Sequence, residues 1–123
     1  MIEALKDFPD NVVAFALHEH LTKEDYEKTL IPDINDKLTR HKKLRADTEI
    51  ASDFAGIDPG ALWEDTKLGI SHFFDWERGA LVTDVDWMSR ATKFFALLMP
   101  GDLRTFPTAE AGKAREWIVE SQQ

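Results

Sequence analysis

The chain has 123 residues, 43% hydrophobic and 31% charged, the balance of an ordinary soluble globular protein that can bury a core without staples. Its 15 Lys and Arg stand against 23 Asp and Glu, and the net charge of −8 repels a phosphate backbone, which argues against nucleic-acid binding. The absence of cysteine excludes a disulfide scaffold and thiolate chemistry. No apolar run approaches the ~20 residues of a bilayer span, and the first residues lack the basic start and long apolar segment of a signal peptide. These features predict one cytoplasmic domain over residues 1–123.

Ile2–Leu5 reads as a short strand, closed by a turn at Phe8-Pro9-Asp10-Asn11. Asn11–His18 is a second strand whose Val12, Val13, Phe15 and Leu17 fill both alternating faces, the pattern of a strand covered on two sides. The short connection makes the two an antiparallel hairpin. Thr22-x-x-Asp25 is a capping box that opens a helix. Tyr26, Leu30, Ile31, Ile34 and Leu38 then recur at helical spacing to about His41, and Pro32 inside that pattern predicts a kink or a split into two pieces. Lys43–Ile50 alternates strictly, with Leu44, Ala46, Thr48 and Ile50 on one face and Arg45, Asp47 and Glu49 on the other. That polar face reads as solvated or as a sheet edge, with a cavity lining as the functional alternative.

After the loop Ser52–Asp58, Asp58-Pro59 is a strong helix start. Leu62, Trp63, Thr66, Gly69, Ile70, Phe73 and Phe74 share one face of that helix, and Lys67 borders the aromatic edge. Glu77–Thr83 is a strand with Ala80, Leu81 and Val82 as its buried run. Thr83-x-x-Asp86 reads as a second capping box. It opens the helix Asp86–Met99, with Trp87, Ala91, Phe94, Phe95 and Leu98 on one stripe that Met88, Leu97 and Met99 broaden. Pro100-Gly101 stops it. Asp102–Phe106 is the last strand, and Pro107-Thr108 caps a final helix with Ala111, Ala114, Trp117 and Ile118 inward. The order ββαβαβαβα predicts an α/β fold: a mixed, mainly parallel five-stranded sheet with about four helices and right-handed crossovers.

Seven of the 13 aromatics fall between Trp63 and Met99. An apolar stripe at helical spacing is most often core. Here the bulk exceeds what one packed face needs, and Met beside aromatics makes an adaptable lining for an apolar ligand or a partner helix. The candidate ligand residues are Trp63, Lys67, Ile70, Phe74, Trp87, Arg90, Phe94, Phe95 and Leu98, with Lys67 and Arg90 placed to receive an anionic head group. A ligand site predicts a concave pocket with Lys67 or Arg90 buried beside it. A docking surface, for another protein or for a second copy in a homodimer, predicts an exposed patch.

His18-x-His20 places two imidazoles on one side of a strand, but zinc needs further ligands and none lies near in sequence, so no metal is expected. His41 and His72 stand at helix ends, where a favourable dipole contact accounts for them. Glu64-Asp65 and Asp75-x-Glu77 read as solvated carboxylates. No nucleophile elbow, P-loop or dinucleotide fingerprint occurs, so neither catalytic residues nor a cofactor is expected.

Leu62-Trp63-Glu64-Asp65-x-Lys67-x-Gly69, Val82-Thr83-Asp84-Val85-Asp86-Trp87 and Leu98-Met99-Pro100-Gly101, with the Leu30-Ile31-Pro32 kink, form a recognisable set. Together they resemble the bacterial SpoIIAA-like proteins, small stand-alone domains of the STAS/CRAL-TRIO-like group, over essentially the whole chain. The resemblance implies a STAS-type α/β sandwich, a non-enzymatic binding domain, an apolar or lipid-like ligand and association with a membrane. Anti-sigma-factor antagonists of this fold carry Asp-Ser-Ser-Gly at the start of the helix after the third strand, where a serine is phosphorylated. The matching positions here, Asp53-Phe54-Ala55-Gly56, hold no hydroxyl, so a phosphorylation switch has no acceptor there. The alternative function is a protein–protein regulatory module of STAS type that works without that serine.

Overall fold

The computed structural model describes residues 1–71, 75–98 and 101–120. Strands β1 (Ile2–Ala4), β2 (Val12–Leu17), β4 (Leu44–Ile50), β6 (Trp76–Val82) and β7 (Asp102–Phe106) form one sheet in that spatial order. The β1–β2 pair is antiparallel, as the short connection predicts, and every later pair is parallel. Two further strands, β3 (His20–Leu21) and β5 (Gly56–Ile57), make a small parallel sheet of their own that the sequence pattern did not reveal. The helices are α1 (Lys23–Asp25), α2 (Ile31–Leu38), α3 (Pro59–Ser71), α4 (Asp86–Ala96) and α5 (Ala111–Val119). This is the expected α/β architecture.

From β2 to β7 the strand order advances in one direction. Right-handed crossovers must then put every crossover helix on the same face. The front core bears this out: Val13, Leu17 and Leu44 of the sheet pack with Tyr26, Leu30, Ile34 and Ala61 of the helical segments, and with Leu68 of α3 and Met88 of α4. The back face is left to α5, whose Ala114, Trp117 and Ile118 cover Val12, Ala14, Ala80 and Val82.

Thr22 and Asp25 form the expected capping box, each side chain bonding the other's backbone N–H. Between α1 and α2 the chain makes a π-helical turn, Tyr26–Leu30, closed by the Ile31 N–H on the Tyr26 carbonyl. Pro32 follows immediately, in the first turn of α2, where its missing N–H costs least. The predicted split is therefore real, and the wide turn absorbs it.

Three expectations fail on physical grounds. The face of β4 bearing Arg45, Asp47 and Glu49 is not solvated. It lies under α5, with Arg45 and Asp47 buried and Glu49 partly so. Alternation alone does not say which polar face a terminal helix will cover. Thr83 and Asp86 do not form a capping box: the N-cap of α4 is Val85, and Thr83 uses its hydroxyl to accept the Val85 N–H. His18 and His20 do not share a strand face, because Glu19 between them takes a positive φ of 53° and turns the chain.

A register shift between Leu44 and Arg45 pairs Leu44 with Trp76 but Arg45 with Arg78. The extra residue, Glu77, turns Trp76 onto the front core and leaves its own carboxylate 3.3 Å from the Arg45 guanidinium.

Candidate functional site

The candidate site lies on the outer sides of α3 and α4. On α3 Ala61 is fully buried, Leu68 packs on the front core, and Glu64 is nearly buried rather than solvated as its sequence suggests, while Leu62 and Trp63 face solvent. Trp63 keeps 60% of its surface exposed. Glu64 accepts an ion pair from Lys67 at 3.0 Å, so the basic side chain at the aromatic edge is partly neutralised by its own helix. Thr66 returns its hydroxyl to the Leu62 carbonyl at 2.9 Å and adds nothing to the outer face.

Helix α4 is strongly amphipathic, but it is turned the other way from the common pattern. None of its residues is fully buried. Met88, Ser89, Ala91, Thr92 and Ala96 lie toward the sheet, half-buried, and the Ser89 hydroxyl reaches Thr105 of β7 at 3.5 Å. Trp87, Phe94 and Phe95 face out, followed by Leu97 and Leu98 just past the helix end. Trp87 and Phe94 each keep 62% of their surface exposed, and Leu97 keeps 83%. Phe94 and Phe95 stand edge to face with ring centres 6.2 Å apart. Of the side chains that α4 turns toward the sheet Met88 alone is large, and the indole and phenyl rings stand on the opposite side.

Of the candidate ligand residues, then, Trp63, Lys67, Trp87, Arg90, Phe94, Phe95 and Leu98 are exposed on one side of the sheet. Phe74 lies outside the described residues, as do His72, Phe73 and Met99, and the side chain of Ile70 is likewise outside them. A cavity of about 380 Å³ opens at the carboxyl ends of β6 and β7, but its walls are largely polar, including Thr83, Asp84, Asp86, Ser89 and Thr105. None of the exposed aromatics lines it.

Histidines and carboxylates make a second constellation, which spacing along the chain does not reveal. His18 bridges Glu3 at 2.7 Å through one ring nitrogen and Asp53 at 2.9 Å through the other. The Glu3 and Asp53 carboxylates both favour the imidazolium and raise the His18 pKa. His20 pairs with Asp58 at the start of α3. His41 does not rest on a helix dipole alone: it bonds Asp10 at 2.8 Å. Arg40 and His41 together hold the Asp10 carboxyl well below the usual range. Among the described residues no three metal-ligating side chains gather in a form that could hold an ion. No helix among them is long and apolar enough to cross a membrane.

Comparison with known proteins gives a consistent answer. A family profile described as SpoIIAA-like matches residues 12–119. The structure is similar to the crystal structure of an uncharacterised DUF3478-family protein with a SpoIIAA-like fold from Shewanella loihica PV-4. The identity is 25%, the TM-score 0.75, and the alignment covers 96% of this chain and 92% of that one. No curated protein matches the chain.

Proposed function

Because the chain belongs to the SpoIIAA-like family, we propose that it is a non-enzymatic binding domain whose outward aromatic face, on α3 and α4, makes peripheral contact with a lipid surface. The observation that carries this reading is the orientation of α4, which spends its aromatic side chains on solvent while Met88 and small residues face the sheet. Exposed Trp, Phe and Leu beside basic residues is the composition of helices that lie in the membrane interface. Each such side chain removed from water contributes about 1.5–3 kcal/mol, so a few are enough to hold a domain on a bilayer. The net charge of −8 opposes adsorption by a general electrostatic field. Apolar insertion therefore dominates, with Arg90 and Lys93 of α4 contacting phosphates locally.

Flotation with neutral phosphatidylcholine vesicles, read by tryptophan emission, tests the reading. The wild-type chain is expected to float and its emission to shift to the blue. A Trp87→Ser/Phe94→Ser double variant is expected to bind at least about tenfold more weakly, the equivalent of about 1.4 kcal/mol. A wild-type chain that stays in the aqueous phase overturns the proposal. If it also forms a dimer that the double variant abolishes, the patch is a contact between copies of the chain.

A further inference from the structure

The back of the sheet holds a different anomaly. Asp47 of β4 is fully buried beneath α5, and neither of its carboxyl oxygens has a hydrogen-bond donor among the described residues. Its cross-strand neighbours are Ala14 on β2 and Ala80 on β6, which offer nothing polar. The charged groups around it come from three elements. From β4 itself, Arg45 and Glu49 share its face. From β6, Arg78 lies diagonally across and Glu77 pairs with Arg45. From α5, Arg115 forks onto Glu49 with two contacts of 2.9 Å, while Lys113 and Glu116 are exposed.

Neither buried arginine is bonded to Asp47. Arg45 donates to Glu77 and to the carbonyls of Ile118 and Glu120, and Arg78 donates to the carbonyl of Trp117 at 2.9 Å while its Nε finds no acceptor among the described residues. Two residues along the same strand face stands the Glu49 carboxylate, an acceptor. Two carboxylates on one strand face, one of them fully buried, repel each other unless one carries a proton. Glu49, held by Arg115, stays ionised, so the proton belongs to Asp47, which then donates to Glu49. Burial, and then the Glu49 carboxylate, push the Asp47 carboxyl up to about 8. A proton on Asp47 would complete one chain, Asp47–H to Glu49 to Arg115, that ties the buried strand to α5.

We infer that α5 is a proton-operated strap across the back of the sheet, docked tightly while Asp47 carries its proton and loosened when Asp47 ionises. Lifting α5 lets water reach Asp47, whose carboxyl then returns to ordinary acidity, so the open form releases a proton that the docked form retains. Opening is thus favoured as pH rises from the ordinary carboxylate range toward about 8, where the effect saturates. What the lifted strap uncovers is the apolar strip Val12, Ala14, Ala80 and Val82.

Amide exchange of residues 111–119, corrected for intrinsic chemistry, measures this opening directly. Between about pH 5 and about pH 8 the opening constant of the wild-type chain is expected to rise about tenfold per pH unit, as one released proton requires. In Asp47→Asn, whose amide donates to Glu49 at every pH, it is expected to stay flat and low. Equal slopes in the two proteins overturn the inference. If Asp47→Asn does not fold, a carboxyl NMR titration of the wild-type chain decides: an Asp47 midpoint above about pH 6 supports the strap, and one at or below it overturns it.

Discussion

Arg45 and Arg78 stand directly opposite each other on neighbouring parallel strands, and both send guanidinium N–H groups to the last carbonyls of α5. Two like charges side by side are normally unfavourable. Here the carbonyl end of α5, where a helix is partly negative, lies across both forks, and Glu77 balances one of them. Removing one fork leaves buried carbonyls without donors. Arg45→Ala is expected to cost about 3 kcal/mol in urea denaturation. Arg45→Lys is expected to recover little of it, because a single ammonium cannot span Glu77 and two carbonyls at once.

The two sides of the sheet respond oppositely to the loss of an aromatic. Trp117 is buried against Phe106, with Arg78 and Arg104 over its ring at 5.2 and 4.7 Å. Trp117→Ala should therefore destabilise by about 3–5 kcal/mol. Trp87→Ser and Phe94→Ser remove exposed rings, and each should change the stability by less than about 0.5 kcal/mol. Chemical denaturation of the three variants checks the contrast. A large loss in either α4 variant would place its ring in the core.

Two glycines separate hard from soft steric limits. A Cβ on Gly101 would meet the backbone oxygens of Trp76 and Glu77 at 2.6 and 2.8 Å, and neither can yield without moving β6. A Cβ on Gly79 would meet the Cδ1 of Leu103 at 2.5 Å, the far end of a flexible side chain. Gly101→Ala is expected to cost about 3 kcal/mol and Gly79→Ala about 1 kcal/mol, readable as different midpoints in thermal melts.

His18 gives a second, separate pH response. Its pKa is raised by Glu3 and Asp53, so its contribution is complete below the ordinary imidazole value and disappears as pH rises through the raised one. The effect is local to the segment after β4, where Asp53 also receives the Glu19 N–H on its carbonyl. Exchange protection of the Glu19 and Ala55 amides is expected to fall across that window. In His18→Gln it should be low throughout and independent of pH.

The order of elements along the chain, the parallel sheet, the N-terminal hairpin and the break at Pro32 were legible because each follows from local pattern: runs of Val and Leu, a capping box, a missing N–H. The orientation of α4 was not. An amphipathic pattern such as Trp87, Phe94 and Leu98 gives an axis without a sign, and the usual assignment of the apolar side to the core is a statistical habit. What decides it is which side of α4 meets β7, a tertiary property. Asp47 was invisible as a buried acid for a related reason. Its alternation with Arg45 and Glu49 looks like any solvated strand face until α5, more than sixty residues later, closes over it. The histidine pairs escaped notice because their partners, such as Asp53 for His18, are 35 residues distant.

That α4 has no fully buried residue also bears on motion. Among the described residues Met88 is the side chain of α4 that packs on the front core, and the rest of the helix rests on β7. The most exposed apolar side chains thus ride on a helix that buries none of its own residues fully and leans on β7. On the proposed reading, a lipid surface that captures Trp87 and Phe94 would act on a helix held mainly through its contacts with β7. Force applied to that helix would pass first to β7, the outermost strand of the sheet.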